Sequence, residues 1–533
     1  MKRLLSVLGM FCAVSGVAFG QQAPAAKPSF VIADVHESPH TAYPFSYGRL
    51  RADRYYLRQS TLVDMIALAY GVKPEMVQGG PSWLEMRRFD VVAKADPKTS
   101  VADQKLMLQS LLAERFGLVM HKGEAPLPAY VLTAPAGKNK MKQAADGEAQ
   151  SCKPDNSQTA GGVPLIVLSC TGFSAENLAL FLNQAANNYL TDPVLNQTGL
   201  DGTWNFTLKW TDFRQRAKAG AEAVSIFTAV ENDLGLKLER KTAPRPVWIV
   251  DRANEMPTPN SPEVAKELPA LPIPPFEVAT IKPSGPNAQR GGMIRNGVVN
   301  LSVIPLRMLI NIAWELNPND SQALINAPAW LDSDKFDIVA KATLPEPVPG
   351  QPAPQMDDVE FRAMLRQLLM ERFNMKLHTE NRTLEAYTMY ADHPKLKPAD
   401  PTTRTHCKDG PGPDGKDPRQ TNPMLTVLWT CQNISMKQLG EQLTQVANGY
   451  VYSPVLDATG LKGTYDFTLT WSSASLTILK PMPAPGQPVS TEPDGAVTLD
   501  EAMHSQLGIR MVKEKRPVPV LVIDHIDETP TAN

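Results

Sequence analysis

The sequence predicts an α+β protein made of two homologous tandem copies, each of repeated helix–strand–strand units packed on mixed or antiparallel sheets. Three observations predict it. The eighteen residues PVLNQTGLDGTWNFTLKW at 193–210 return as PVLDATGLKGTYDFTLTW at 454–471. Segments with one apolar helical face recur at matched places in both halves. Strand-like segments with alternating character follow them each time.

The repeat extends far beyond the two quoted stretches, and repeats decide architecture first. FDVVAKA at 89–95 returns as FDIVAKA at 336–342, and PSWL at 81–84 as PAWL at 328–331. Glu114, Arg115, Phe116 and His121 return as Glu371, Arg372, Phe373 and His378. Pro246 and Asp251 return as Pro519 and Asp524. Copy one spans 28–253 and copy two 274–528. The proline-rich segment 254–273 between them reads as a semi-rigid linker, because proline favours extended backbone. Proline-rich insertions at 344–355 and 480–493 occur in copy two alone and read as surface loops.

The elements follow in order. Residues 1–20, MKRLLSVLGMFCAVSGVAFG, have a basic start at Lys2 and Arg3, an apolar stretch, and a small-x-small site ending at Gly20. This is a signal peptide, too short in its apolar part to span a bilayer comfortably. The expected location is therefore extracytoplasmic, periplasmic or secreted. The first helix is announced by Leu62, Met65, Ile66, Ala69 and Tyr70, matched by Leu306, Leu309, Ile310, Ala313 and Trp314 with Pro305 at its start. A later helix carries Met107, Leu108, Leu111, Leu112 and Phe116 and stops at Gly117, or at Asn374 in copy two. Glycine and asparagine best tolerate the left-handed position that ends a helix. LVMH, MKLH, LKLE and IRMV follow as strands. Ser435 and Gln438 have the spacing of a capping box. In the opening repeat a glycine turn precedes Phe206, Leu208 and Trp210, which alternate as one buried strand face. That stretch reads as fold rather than chemistry.

A fainter duplication lies inside each copy. FGLVMHKGEAPLPAYVL at 116–132 aligns without a gap with LGLKLERKTAPRPVWIV at 234–250. Phe89 and its strand resemble Phe206 and its strand in position. Four half-copies follow.

Four cysteines remain after cleavage: Cys152, Cys170, Cys407 and Cys431. Of the possible connectivities, Cys152–Cys170 and Cys407–Cys431 let each copy close its own loop, and an exported chain permits disulfides. A metal site lacks the ligand count. Net charge is −2 with no long basic run, which gives no case for nucleic acid. No later apolar run is long enough for a second membrane element. GxSxG, the phosphate-binding GxxxxGK[ST], the calcium loop and CxxC are all absent from the sequence. No cofactor and no metal are expected.

Candidate chemistry rests on weak signals. His121 and His378 follow matched helix ends, so a catalytic reading makes them acid/base groups with Glu114 or Glu371 as orienter and Arg115 or Arg372 beside them. The competing reading, a histidine at a sheet edge, is preferred. Asp251 and Asp524 close the final strand of each copy and read as turn formers. Lys94 and Lys341 alternate away from the buried face and read as solvated.

Five segments carry a family resemblance: FEVATIKPSGP, PAWLDSDKFDIVAKA, MLRQLLMERFNMKLH, PVLDATGLKGTYDFTLTW and PVPVLVIDHIDETP. In that order they resemble a secreted family of unknown function from soil bacteria, especially acidobacteria. The resemblance covers copy two and, with departures such as FVIADVHESP at 30–39, copy one. It implies an exported protein with no activity to carry over residue by residue, and some relatives sit near sensor-type membrane proteins. The helix–strand–strand units are also similar to the small domains of outer-membrane secretins and TonB-dependent receptors, an analogy of fold alone. The leading expectation is a non-enzymatic tandem binding or scaffolding module for an envelope protein or polymer. The alternatives are a hydrolase of an extracytoplasmic polymer and a sensor component of an envelope signalling system.

Overall fold

The computed structural model describes residues 27–532 except 40, 42–45, 52, 155–158, 270–274, 345–355, 413, 423 and 478–494. The expected signal peptide and nearly all of the two copy-two insertions lie outside the described residues. Each copy has two α/β lobes joined by one long antiparallel hairpin. In copy one the hairpin strands are Val119–Thr133 and Lys237–Arg252; in copy two they are Lys376–Ala391 and Ile509–His525.

The first lobe of copy one is an antiparallel sheet in the order Ala33–Glu37, Arg88–Lys94, Arg54–Thr61, Tyr47–Arg51. Helices Leu62–Tyr70 and Val101–Phe116 cover its inner face. They do so because Met65 and Ile66 on one helix, Leu108 and Leu112 on the other, and Phe89 and Val91 on the sheet are all fully buried. Phe89 meets Phe116 edge-on, with ring centroids 5.0 Å apart; Phe336 and Phe373 repeat this at 5.2 Å. The second lobe has the same order of parts: Lys142–Gln143, Thr203–Thr211, Val163–Ser174, Ser151–Pro154, with helix Ala175–Ala185 against the sheet. Each lobe ends by feeding one strand into the hairpin.

Short strands lock the lobes to the hairpin. Val77–Gly79 of the first lobe runs parallel to Trp248, Ile249 and Val250; Val194–Asn196 of the second runs parallel to Tyr130, Val131 and Leu132. Tyr130 and Trp248 are equivalent in the two half-copies, and Pro126 stands opposite its own equivalent Pro244. The copy is thus built around an approximate two-fold axis through that proline pair. At this point the hairpin is only two strands wide among the described residues, with no further strand on either outer edge. Proline there costs no ladder bond and discourages further strand pairing.

One backbone device identifies all four half-copies. A bulge precedes the first helix of each lobe, with left-handed φ at Gln59 (51°), Gly172 (70°), Val303 (59°) and Asn433 (52°). Each of these residues donates its backbone N–H to a side-chain oxygen on the neighbouring strand: Asp90 at 2.9 Å, Asn205 at 2.8 Å, Asp337 at 3.0 Å and Asp466 at 2.9 Å. The bulge breaks the ladder and the side-chain oxygen replaces the missing acceptor. The equivalence corrects the alignment read from sequence: Phe89 corresponds to Trp204, two residues before Phe206.

Two residues after each bulge, Thr61, Ser174 and Ser435 cap the helix with their hydroxyls; Pro305 holds the place in the remaining lobe without a side-chain cap. Ser435 and Gln438 form the expected reciprocal box. The last helical segment of each copy passes into a π turn, Val230–Leu234 or Met503–Leu507, and ends at Gly235 or Gly508 with φ of 67° or 69°. A Cβ on Gly235 would stand 1.6 Å from the Lys138 carbonyl oxygen, so only glycine fits.

Cys152 and Cys170 face each other on adjacent strands with sulfurs 2.02 Å apart, as do Cys407 and Cys431 at 2.04 Å. The copies touch at several places, one of them a largely buried cluster. Arg404 donates to the Val77 carbonyl and lies 3.2 Å from Glu85, which also has Lys408 at 3.6 Å and His406 at 3.8 Å. The Thr405 N–H donates to the Ser82 carbonyl at 3.0 Å. The segment after copy one is more than a tether: residues 254–269 lie against that copy, as detailed below.

Candidate functional site

The position-matched polar residues on the long hairpin form the candidate site. Met120 packs into the first-lobe core and Val250 is buried, so strand alternation turns His121 and Asp251 outward. A bulge between Val250 and Arg252 makes Asp251 the extra residue and brings its carboxylate beside the ring. His121 Nδ1 lies 2.9 and 3.0 Å from the two Asp251 oxygens. Copy two repeats the pair, with His378 Nδ1 2.9 Å from Asp524 Oδ2 and Nε2 3.7 Å from Glu380. The hydrogen bond to Asp524, with the nearby carboxylate charges, raises the His378 pKa above the ordinary histidine value.

The other sequence candidates do not join them. Arg115 is buried, 6% exposed, and holds the chain leaving the hairpin: Nη2 donates to the Thr258 carbonyl and Asn260 Oδ1, both at 2.6 Å, and Nη1 to the Ala33 carbonyl at 2.9 Å. Arg372 repeats the role through the carbonyls of Ala279 and Ala532. Both are clamps of the fold. Glu114 is exposed on the helix, and Glu371 accepts from Gln367 on its own helix at 2.8 Å. Neither carboxylate orients a histidine; the strand-ending aspartates do. Sequence matching had already paired Asp251 with Asp524, but their contact with histidine depends on a bulge that spacing does not show.

Two further clusters belong to copy two. Glu514 accepts from Tyr390 at 2.8 Å and Arg516 at 2.7 Å, and its hydrogen bonds to Thr388, Tyr390 and Arg516 hold its carboxyl down to about 2. Lys513 donates to the Tyr452 hydroxyl at 2.8 Å and lies over the rings of Tyr387 and Tyr452. That ammonium lowers the Tyr452 pKa, while burial pushes Tyr387 up to about 12. At the Lys513 position copy one has Arg240, bonded to Asp192 at 2.8 Å. These clusters differ between copies, whereas the His–Asp pairs do not.

An imidazole held by a carboxylate has a fixed orientation and one free nitrogen, which can exchange a proton or meet an anion. It also needs shelter from water to do acid–base chemistry well. Here the side chains of His121 and Asp251 are 55% and 42% exposed, and those of His378 and Asp524 47% and 45%. Among the described residues no group of three or more His, Cys, Asp or Glu could hold a metal ion, and no helix is long and apolar enough to cross a membrane.

No curated protein and no solved structure matches the chain. A family match is found twice, over residues 63–253 and 307–526, the two copies described above. The chain belongs to the family described as protein of unknown function (DUF3738), with two copies of its domain in tandem.

Proposed function

We propose that the protein is a non-enzymatic tandem binding or scaffolding module that works outside the cytoplasm, in the envelope or secreted. The observation that carries this reading is the setting of the two His–Asp pairs. They are the only candidate groups on the hairpin held alike in both copies among the described residues, and they lie on open sheet surface rather than in a sheltered cleft. The Arg and Glu candidates that would line such a cleft are fold clamps or helix-surface groups. The disulfides favour an oxidising compartment. Two copies on one chain raise avidity for a repeated or extended partner when both can engage.

A hydrolase remains the second reading, favoured by one observation: an aspartate fixes the ring nitrogen in each copy, the orientation a general base requires. The deciding experiment compares the wild type with a His121→Ala/His378→Ala double variant on ester, glycoside and peptide substrates. Turnover that disappears in the variant at unchanged melting temperature overturns the binding reading. Equal, background-level signals from both proteins, with retained partner binding, support it.

A further inference from the structure

The outer faces of the two first-lobe sheets are built alike, but among the described residues only one of them carries a strap. In copy one the chain leaves the hairpin, and Asn254 and Thr258 donate their N–H groups to the carbonyls of Phe116 and Arg115 at 2.7 and 2.8 Å. It then crosses the sheet. Asn260 accepts from the Val35 N–H at 3.0 Å and donates to Asp34. A helical turn, Val264–Glu267, follows, with Val264 and Leu268 only 7% and 6% exposed. Glu267 pairs with Lys94 at 3.1 Å, and the Pro269 carbonyl accepts from Arg54 at 2.9 Å. Lys94 and Arg54 are cross-strand partners that alternate with the core residues Ala93 and Tyr55. The strap 260–269 therefore lies on the outer face.

Copy two begins the same path. Asp527 and Thr531 donate to the carbonyls of Phe373 and Arg372 at 2.9 and 2.8 Å, and ETPTAN at 528–533 parallels EMPTPN at 255–260. The corresponding sheet face presents Val278, Val298, Val339 and Met293 at 59%, 36%, 47% and 53% exposure. Register places them together: Met293, Asn300, Val339 and Thr280 form one row across the four strands, and Arg295, Val298, Lys341 and Val278 the next. In copy one, Ile32 and Val92 at the positions of Val278 and Val339 are only partly exposed. Lys341 takes the place of Lys94, and Arg295 and Lys282 add positive charge around the apolar rows.

We propose that this face docks an acidic amphipathic segment of a partner chain, in the manner of the strap. The proposal rests on the binding reading and names its partner. The segment carries two apolar residues four apart, as Val264 and Leu268 are, and a carboxylate before the second, as Glu267 is. The apolar pair covers the valine rows, and the carboxylate meets Lys341 in place of its present neighbour Glu277, 3.2 Å away. An apolar patch edged by Lys341, Lys282 and Arg295, with Glu277 and Asp337 among them, is the kind of surface an amphipathic segment with a carboxylate recognises.

The test uses the full chain and a labelled peptide of the strap, NSPEVAKELP, followed by fluorescence anisotropy. The expected result is saturable one-to-one binding below about 1 mM. Binding weakens at least tenfold in Val339→Glu and, independently, in Met293→Glu, both exposed positions whose variants keep the wild-type melting temperature. A peptide with glutamate at both apolar positions does not bind. Absence of saturable binding overturns the proposal. So does binding that survives Val339→Glu and Met293→Glu but is lost in Val92→Glu, which would show exchange with the chain's own strap. Concentration-dependent dimerisation abolished by Val339→Glu would assign the face to a second copy of this chain and also overturn it. If the peptide fails while the protein still retains a partner through another surface, only this inference falls; turnover dependent on His121 and His378 would remove the binding reading itself.

Discussion

Replacing Val303 by asparagine should stabilise the protein by about 1 kcal/mol. Val303 occupies the bulge with φ of 59°, a conformation that costs an L-residue roughly 1–2 kcal/mol and is an outlier for a β-branched side chain. Asparagine holds the equivalent position at 433 and glycine at 172. The stabilising bond, from the residue-303 N–H to Asp337, uses the backbone and survives the change. Against the relief stands the loss of a partly buried valine, about 1 kcal/mol or less because part of the side chain stays in contact with water. Glycine would gain less, since its unfolded-state freedom costs about 0.5–1 kcal/mol. The reverse experiment is Gly172→Ala, whose Cβ would stand 2.6 Å from the Glu148 carbonyl oxygen, so about 2 kcal/mol or more of stability should be lost. Urea unfolding reads both, with hydrogen exchange at the bulge amides separating copy two from copy one. A destabilised Val303→Asn protein would refute the reasoning, because valine packing would then outweigh backbone strain.

Other outcomes follow from the same contacts. Burial lowers the His406 pKa to about 4, so the fold holds the neutral ring. Its folded pKa lies below its unfolded value, and stability should fall as pH drops from about 6.5 to 4, by at most about 3 kcal/mol at 1.36 kcal/mol per unit; melting of a His406→Gln variant should show a flatter pH dependence. Asp524→Asn should lower the His378 titration midpoint read by NMR, since Asp524 is the main cause of its upward shift. The contribution of that pair is present at low pH and lost as pH rises through the folded pKa. Arg115→Ala should cost about 2–4 kcal/mol through unpaired buried carbonyls and lost guanidinium bonds, and should speed hydrogen exchange along 258–269 more than elsewhere.

Much of the fold was legible because local rules and the repeat agreed. The faces around Leu62–Ala69 and Leu306–Ala313, the stops at Gly117 and Asn374, and the box at Ser435 each needed only a few neighbouring residues. The cysteine pairs were legible because the repeat placed two in each copy. The half-copy alignment slipped by two residues at Phe206, a shift that leaves strand parity intact and so left the buried face right. What joins the lobes was not legible. Val77–Gly79 meets Trp248–Val250 across most of the copy, and a three-residue parallel strand has no periodicity to detect. The same distance hid the site: Arg115 read as a cleft residue because its partners Thr258 and Asn260 lie in what looked like a linker. The proline content of 254–273 was real, but Val264 and Leu268 carried the docking signal within it.

The central claim is that the protein works by binding through open surface and not by catalysis at the His–Asp pairs. It is tested most directly by quantitative crosslinking in the native host cells of three chains: wild type, His121→Ala/His378→Ala, and Val278→Glu/Val339→Glu, all at the same melting temperature. The account predicts that the histidine variant keeps the crosslinked partner of the wild type and the valine variant loses it. Loss of the partner in the histidine variant, with full retention in the valine variant, would contradict it.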